Sequence, residues 1–150
     1  MTERFAIRRA GPDDVTRVTD LRISFLREFD APDDEDHYRE AFERYARTAL
    51  TDGSYVCWLA EAEDRVVGGG AVAVYVRPAT HGTQWREGCV MSMFTEPAYR
   101  SRGVGAAVVA EILEYAKRGS VRLWLYATDA GRPIYERAGF REDPRFMRWP

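Results

Sequence analysis

The chain has little of what would mark a membrane, secreted or fibrous protein. Its 150 residues include two cysteines, Cys57 and Cys89, and both lie in apolar runs, so no disulfide framework is predicted. The longest mainly apolar stretch, Val66 to Val76, is far shorter than the roughly 20 residues that a membrane-spanning helix needs. The first residues lack a basic segment followed by an apolar one. We therefore expect a cytoplasmic protein with no membrane partner.

Neither sign of charge dominates the chain. The net charge is −2, but residues 1–76 carry −6 and residues 77–150 carry +4. A basic half favours a small polyanionic ligand, although an ordinary solvated surface has the same pattern. A dense Arg/Lys stripe with interleaved aromatics is missing, so nucleic-acid binding is not predicted. With 45% apolar residues, the length predicts one domain over residues 1–150.

Hydrophobic periodicity predicts strands and helices in alternation along the chain. Strands are expected at 5–10, 55–61, 66–76, 89–95, 121–126 and 146–149, and helices at 12–29, 34–50, 99–119 and 132–138. A polar loop is expected at 77–87, and Gly119 and Gly139 are expected to end the last two helices. This order predicts an α/β sandwich, with helices packed on a mixed sheet.

The middle of the chain predicts a β-hairpin with an irregularity. Glu63-Asp64-Arg65 is typical of a tight turn between two β-rich runs. Gly68-Gly69-Gly70 follows within the second run, where glycine weakens a strand. We therefore expect a bulge there, or a close approach of a neighbouring backbone.

The segment from Arg100 to Ala106 combines glycine and arginine between a predicted strand and a predicted helix. A helix start presents unpaired backbone N–H groups and the positive end of a dipole, which together attract an anion. A Cβ atom at Gly103 or Gly105 would keep a phosphate away from the backbone, and Arg100 and Arg102 add positive charge. The segment therefore predicts a phosphate-binding turn.

Two well-known phosphate loops do not match this segment. A P-loop ends in Gly-Lys-Ser/Thr, whereas this turn continues Gly105-Ala-Ala. The dinucleotide fingerprint needs a third glycine where Val108 stands. Both alternatives are excluded.

The residues Arg100-x-x-Gly103-x-Gly105 resemble the Arg/Gln-x-x-Gly-x-Gly/Ala motif of the GNAT superfamily of N-acetyltransferases. The approach Thr95-Glu-Pro-Ala-Tyr-Arg100 and the run from Leu125 to Phe140, which ends in Tyr-Glu-x-x-Gly-Phe, resemble the same family. The resemblance implies a mixed, mostly antiparallel central sheet flanked by helices. It also implies acetyl transfer from acetyl-CoA, as co-substrate, to a primary amine of a small molecule.

The resemblance assigns roles to individual residues. Tyr135 would be the catalytic general acid that protonates the departing thiolate. The N–H group near Met93 would face the thioester oxygen. The cofactor-binding residues would be Met93, Phe94, Thr95, Arg100, Ser101, Arg102, Gly103, Val104, Gly105, Ala106, Thr128, Gly131 and Arg132. Thr128 and Gly131 depart from the Asn and Ala that many members carry there, so cofactor contacts are less defined in this region.

Several questions stay open at the level of sequence. Glu87, Glu61 and His81 are candidates for a general base, although each is also an ordinary surface residue. Cys57 and Cys89 lack an activating partner, which favours direct attack of the amine over an acyl-enzyme. No metal site is predicted. A protein N-terminus or lysine as acceptor, a non-catalytic acyl-CoA sensor and a homodimer remain alternatives.

Overall fold

The computed structural model describes residues 4–80, 82–83 and 85–150. A five-stranded sheet in the order β1-β2-β3-β4-β5 forms its centre. The strands are β1 (Ala6–Arg9), β2 (Tyr55–Ala62), β3 (Arg65–Val76), β4 (Arg86–Thr95) and β5 (Val121–Trp124). The helices are α1 (Val15–Phe29), α2 (Glu35–Asp52), α3 (Val104–Gly119) and α4 (Arg132–Arg137), and short 3-10 turns precede α1 and α3. The predicted order of elements is confirmed through α4.

The first four strands pair antiparallel, and β5 runs parallel to β4. The β2–β3 hairpin turns at Glu63 and Asp64, both in the left-handed region with φ of 50° and 61°. Such a pair of left-handed residues matches the right-handed twist of the flanking strands. The predicted tight turn is therefore confirmed, and the sheet is mixed and mostly antiparallel as expected.

The three glycines of β3 lie where the sheet is crowded. A Cβ atom at Gly69 would stand 2.4 Å from the Trp58 carbonyl oxygen, and one at Gly70 would stand 2.1 Å from the Met93 sulfur. The β3–β4 register shifts between Gly69 and Ala71. The expected close approach of a neighbouring backbone is confirmed, whereas the extra residue of the bulge at this register shift lies in β4, opposite Gly70, and not in the glycine strand.

The core has two main parts, one on each face of the sheet. On one face, α1 and α2 pack against the sheet through Leu21 and Ala49, with Cys57 and Leu59 beneath them. On the other face, Val108 and Ile112 of α3 cover a second cluster. The two cysteines are buried free thiols, as predicted from their apolar surroundings. The two faces of the sheet are therefore covered by different helices, α1 and α2 on one face and α3 on the other.

Some element boundaries differ from the sequence-based expectations. No strand forms over the described residues 146–149, where Trp149 is 93% exposed, because alternation makes a strand only when a partner strand is available. Ser120, not Gly119, takes the left-handed conformation that ends α3, with φ of 50°. β4 begins at Arg86 instead of residue 89, β5 ends at Trp124 instead of residue 126, and α3 begins at Val104 after a 3-10 turn.

None of the helices in the described part of the chain has the length and apolar character that crossing a membrane requires.

Candidate active site

Strand β4 continues past the point where its pairing with β5 ends. The last paired residues are Cys89 and Trp124, and β4 then runs six residues further to Thr95. Within the described residues, the edge of β4 from Val90 to Thr95 that faces away from β3 has no strand partner. Unpaired backbone groups at a strand edge can bind an extended ligand as an added strand.

A bulge lies in the middle of this open edge. Met91 pairs with Ala71 and Phe94 pairs with Gly69, so Ser92 and Met93 together stand opposite one glycine. Ser92 is fully buried and has φ of 57°, the left-handed region that non-glycine residues rarely adopt. Such bulges change the direction in which backbone and side-chain groups point, and they are frequent beside active sites.

The predicted phosphate turn lies at the start of α3, near the end of β4. Gly103 has φ of +86°, and among the described residues no heavy atom outside Gly103 and its two chain neighbours lies within 4 Å of the position that its Cβ would take. The first helical hydrogen bond of the turn runs from the Ala107 N–H to the Gly103 carbonyl at 3.0 Å. The N–H groups of Val104, Gly105 and Ala106 therefore have no carbonyl one turn back. Open space in front of a helix N-terminus fits a phosphate group.

The two arginines beside the turn are held by their surroundings. Arg100 donates from Nε to the Thr95 carbonyl at 2.9 Å and forms an ion pair with Glu28 of α1. The Arg102 guanidinium lies 5.3 Å from the centre of the buried Tyr99 ring. Ser101 between them is exposed and left-handed, with φ of 61°. The positive charge beside the turn is therefore positioned in advance of any ligand.

Helix α4, which carries Tyr135, packs against the first turn of α3. A Cβ atom at Gly105 would lie 3.1 Å from Ile134, so the first turn of α3 and α4 pack closely. The Tyr135 ring lies 5.8 Å from Phe140, and burial raises the pKa of its hydroxyl to about 12. No other described residue hydrogen-bonds to this hydroxyl. A phenol with this pKa stays protonated near neutral pH, so it carries a proton that it can donate.

The residues before α4 are occupied by local contacts. The Thr128 hydroxyl accepts a hydrogen bond from the Gly131 N–H at 3.1 Å, and the Thr128 carbonyl accepts from the Arg132 N–H at 2.9 Å. The Arg132 side chain forms an ion pair with Glu142 at 2.6 Å. These contacts shape the turn into α4 and thereby set the position of Tyr135.

The candidates for a general base are engaged elsewhere or lie outside the described residues. Glu61 accepts two hydrogen bonds from Arg8 at the β1–β2 end of the sheet, and its strand, β2, is separated from β4 by β3. Glu87 is buried, accepts from the Tyr75 hydroxyl at 2.9 Å and pairs with Arg77 at 3.1 Å. His81 lies outside the described residues. Burial raises the pKa of the Cys57 and Cys89 thiols, which disfavours the thiolate that an acyl-enzyme would need.

One side chain at the bulge was not among the predicted site residues. Arg22 of α1 donates from Nη1 to the Ser92 hydroxyl at 3.2 Å and from Nε to the Tyr38 hydroxyl at 3.0 Å. The sequence contains an indication of where this side chain points, because Arg22 stands between Val18 and Phe25 on the apolar stripe of α1. A charged residue at a stripe position points towards the sheet, not towards solvent.

The family model for an acetyltransferase (GNAT) domain matches residues 53–142 of the chain, which include β4, the glycine turn, α3 and Tyr135. The chain belongs to the GNAT acetyltransferase family. The matched region therefore contains every predicted site residue, although the match by itself assigns no role to any of them.

Solved structures with this fold include a predicted acetyltransferase from Clostridium acetobutylicum, crystallised with acetyl-CoA. The two structures superpose with a TM-score of 0.87 over 98% of this chain and 96% of the other, at 23% identity. This likeness confirms the GNAT fold of the chain. The presence of acetyl-CoA is a property of the Clostridium protein.

Two curated relatives belong to the same class of enzyme. An uncharacterized N-acetyltransferase of Methanocaldococcus jannaschii is 26% identical over 99% of this chain and 66% of its own length. A glucosamine 6-phosphate N-acetyltransferase of Trypanosoma brucei brucei is 27% identical over 53% of this chain and 54% of its own length. The chain thus spans just under two thirds of one relative and about half of the other.

Proposed function

We propose that this chain is an N-acetyltransferase that moves an acetyl group from acetyl-CoA to the primary amine of a small molecule. The observation that carries the proposal is the glycine turn at the start of α3, with open space at Gly103, next to the unpaired edge of β4. A diphosphate fits the turn, and an extended pantetheine chain fits the edge. The glucosamine 6-phosphate enzyme among the relatives supports a small-molecule acceptor.

Each part of the chain has a task in this proposal. The N–H groups of residues 102–106 bind the diphosphate, with Arg100 holding the end of β4 beside them. The residues Met93, Phe94 and Thr95 pair with the pantetheine through their backbone. The Met93 N–H donates to the acyl oxygen as negative charge develops there. Acetyl-CoA supplies the activated thioester.

Tyr135 is the proton donor in this mechanism. The amine nitrogen forms a bond to the acyl carbon, the carbon–sulfur bond breaks, and the sulfur leaves as a thiolate. The Tyr135 hydroxyl gives its proton to that thiolate, the amine loses a proton to solvent, and the tyrosinate takes a proton back from solvent, which restores the hydroxyl. The reaction is a direct transfer in a ternary complex, because both thiols are buried with raised pKa values.

A thiol-release assay tests the proposed function. The protein is incubated with acetyl-CoA and with small amines, a peptide with a free N-terminus and a lysine peptide with a blocked N-terminus. We expect free thiol to appear with at least one small amine and not with the peptides. Turnover with peptides alone favours a protein acetyltransferase. Cofactor binding without turnover on any amine favours the sensor and contradicts the proposal.

A further inference from the structure

Arg22 is a half-buried cation without an acidic partner. Its guanidinium contacts two hydroxyl groups, of Tyr38 and Ser92, and lies 5.5 Å from the Phe25 ring. Among the described residues, no carboxylate lies within ion-pair distance of it. Other arginines of α1 and α2 have such partners; the pairs are Arg17 with Asp14, Arg27 with Glu35, Arg39 with Asp20 and Arg47 with Glu43.

Part of the Arg22 guanidinium remains available to a ligand. The contacts with Tyr38 and Ser92 use Nε and Nη1, whereas Nη2 makes no hydrogen bond to any described residue. Every fully buried side-chain nitrogen or oxygen in the described part of the chain has a partner. Nη2 is therefore accessible from outside the fold. An arginine presents its donors as a planar fork that matches carboxylate and phosphate oxygens.

The location of Arg22 places this fork on the acceptor side of the site. Ser92, which it contacts, is the bulge residue directly before Met93, whose N–H is proposed to face the reacting carbonyl. Arg22 extends from α1, which packs on the opposite face of the sheet from α3. The proposed diphosphate site is at the start of α3, so the cofactor does not need this arginine.

We propose that Arg22 binds an anionic group, a carboxylate or a phosphate, on the acceptor amine. This assignment rests on the proposed acetyltransferase function and specifies its substrate class. The half-buried Arg22 guanidinium has an unused donor and no described acidic partner, and an anionic acceptor supplies the opposite charge. Because Arg22 contacts the residue next to Met93, the amine and the anion are separated by few atoms. Amino acids and aminoalkyl phosphates have this form, whereas polyamines do not.

Matched acceptor pairs test the assignment in the unaltered protein. One pair is an amino acid and its amide; the other is an aminoalkyl phosphate and the corresponding amino alcohol. We expect kcat/KM for the anionic member of at least one pair to exceed that of its neutral partner by about 10- to 100-fold, the range for a hydrogen-bonded charge pair. The pair with the larger ratio of kcat/KM values, anionic over neutral, shows whether Arg22 binds a carboxylate or a phosphate. Equal values within both pairs overturn the assignment.

Variants separate substrate binding from a structural role. Arg22→Gln is expected to raise KM for the anionic member about 10- to 100-fold more than it raises KM for the neutral member. Arg22→Lys, which keeps the charge, should restore part of the preference. Arg47→Gln, on the exposed face of α2, is the control and should leave both values unchanged.

The outcomes distinguish this assignment from the function on which it rests. If Arg22→Gln lowers activity with both members equally, Arg22 only holds α1 to the bulge and the assignment is wrong. If Arg22→Gln does not fold, the ratios measured on the unaltered protein still decide. If no amine of any kind is acetylated, the proposed function itself is contradicted and the assignment falls with it.

Discussion

The two ends of the sheet differ in how completely their polar groups are paired. At the β1–β2 end, the Arg8 guanidinium donates four hydrogen bonds of 2.8–3.0 Å, two to Asp14 and two to Glu61. At the other end, β4 has an unpaired edge, α3 starts before open space, and Arg22 has no described acidic partner. Polar groups that a fold leaves without partners in a cleft are the groups that a ligand pairs with. We therefore infer that the β1–β2 end, which we call the paired end, stabilises the fold. We infer that the end formed by the free edge of β4 and the start of α3, which we call the open end, binds a ligand.

The largest effect is expected when the open end is filled. Gly103→Val puts a branched side chain into the space proposed for the diphosphate, at a residue with φ of +86°. We expect the Kd for acetyl-CoA to rise at least about 100-fold, because several charge-assisted hydrogen bonds are lost. Calorimetric titration measures it.

The matched control for this variant is Gly53→Val. Gly53 follows α2 with φ of +80°, and apart from its chain neighbours no described residue has a heavy atom within 4 Å of its Cβ position, so the backbone strain is similar. Both variants should lose a comparable amount of free energy of unfolding, and only Gly103→Val should lose cofactor affinity. Equal losses of affinity would mean that the turn at Gly103 is not the cofactor site.

Removing one hydroxyl tests the chemistry at the open end. Tyr135→Phe is expected to lower kcat about 100-fold, the lower range for loss of a general acid, while the Kd for acetyl-CoA stays within about 2-fold. Since the pKa of Tyr135 is about 12, ionisation of this residue should cause no loss of activity up to about pH 10. An unchanged kcat removes Tyr135 from the mechanism.

The paired end should affect stability alone. Arg8 and the Gly11 N–H hold the pKa of the Asp14 carboxyl well below its usual range, so this group stabilises the fold above about pH 4 and less as the pH falls below that value. Asp14→Asn should lower the free energy of unfolding by about 2 kcal/mol at pH 7. Denaturant titrations should show the difference shrinking towards pH 3. If Asp14→Asn changed the Kd for acetyl-CoA by more than about 2-fold, the inference that the paired end affects stability alone would be wrong.

The smallest effect is expected from surface charge. Arg100→Ala removes a guanidinium that bonds the end of β4, and we expect about a 10-fold rise in the Kd for acetyl-CoA. Arg141→Ala removes an exposed charge beyond α4 and should change the Kd by less than about 2-fold, since screened surface charges contribute little. Similar effects of the two variants would mean that net charge, and not position, attracts the cofactor.

Local signals in the sequence predicted most of the fold. The hairpin turn at Glu63, the crowding at Gly68-Gly69-Gly70 and the glycine turn at Gly103 each depend on neighbouring residues, and each is confirmed as a feature of the backbone. The strand predicted at 146–149 is wrong because pairing depends on a partner that local alternation does not reveal.

The acceptor side of the site was less accessible to prediction. The bulge at Ser92 arises from a register shift between two strands, and Ser92 itself gives no local sign of it. Arg22 reaches the bulge across the α1–β4 contact, 70 residues away in sequence. Contacts between distant segments are set by packing, so the roles of these residues required the fold.

The most direct test of the account is a calorimetric titration of the unaltered protein with acetyl-CoA. We predict saturable binding at one site per chain with a Kd below about 1 mM, the upper end of common substrate affinities. Free CoA, which carries the same diphosphate and pantetheine, should compete for the site. No binding of either compound at millimolar concentration would contradict the assignment of the open end as a cofactor site.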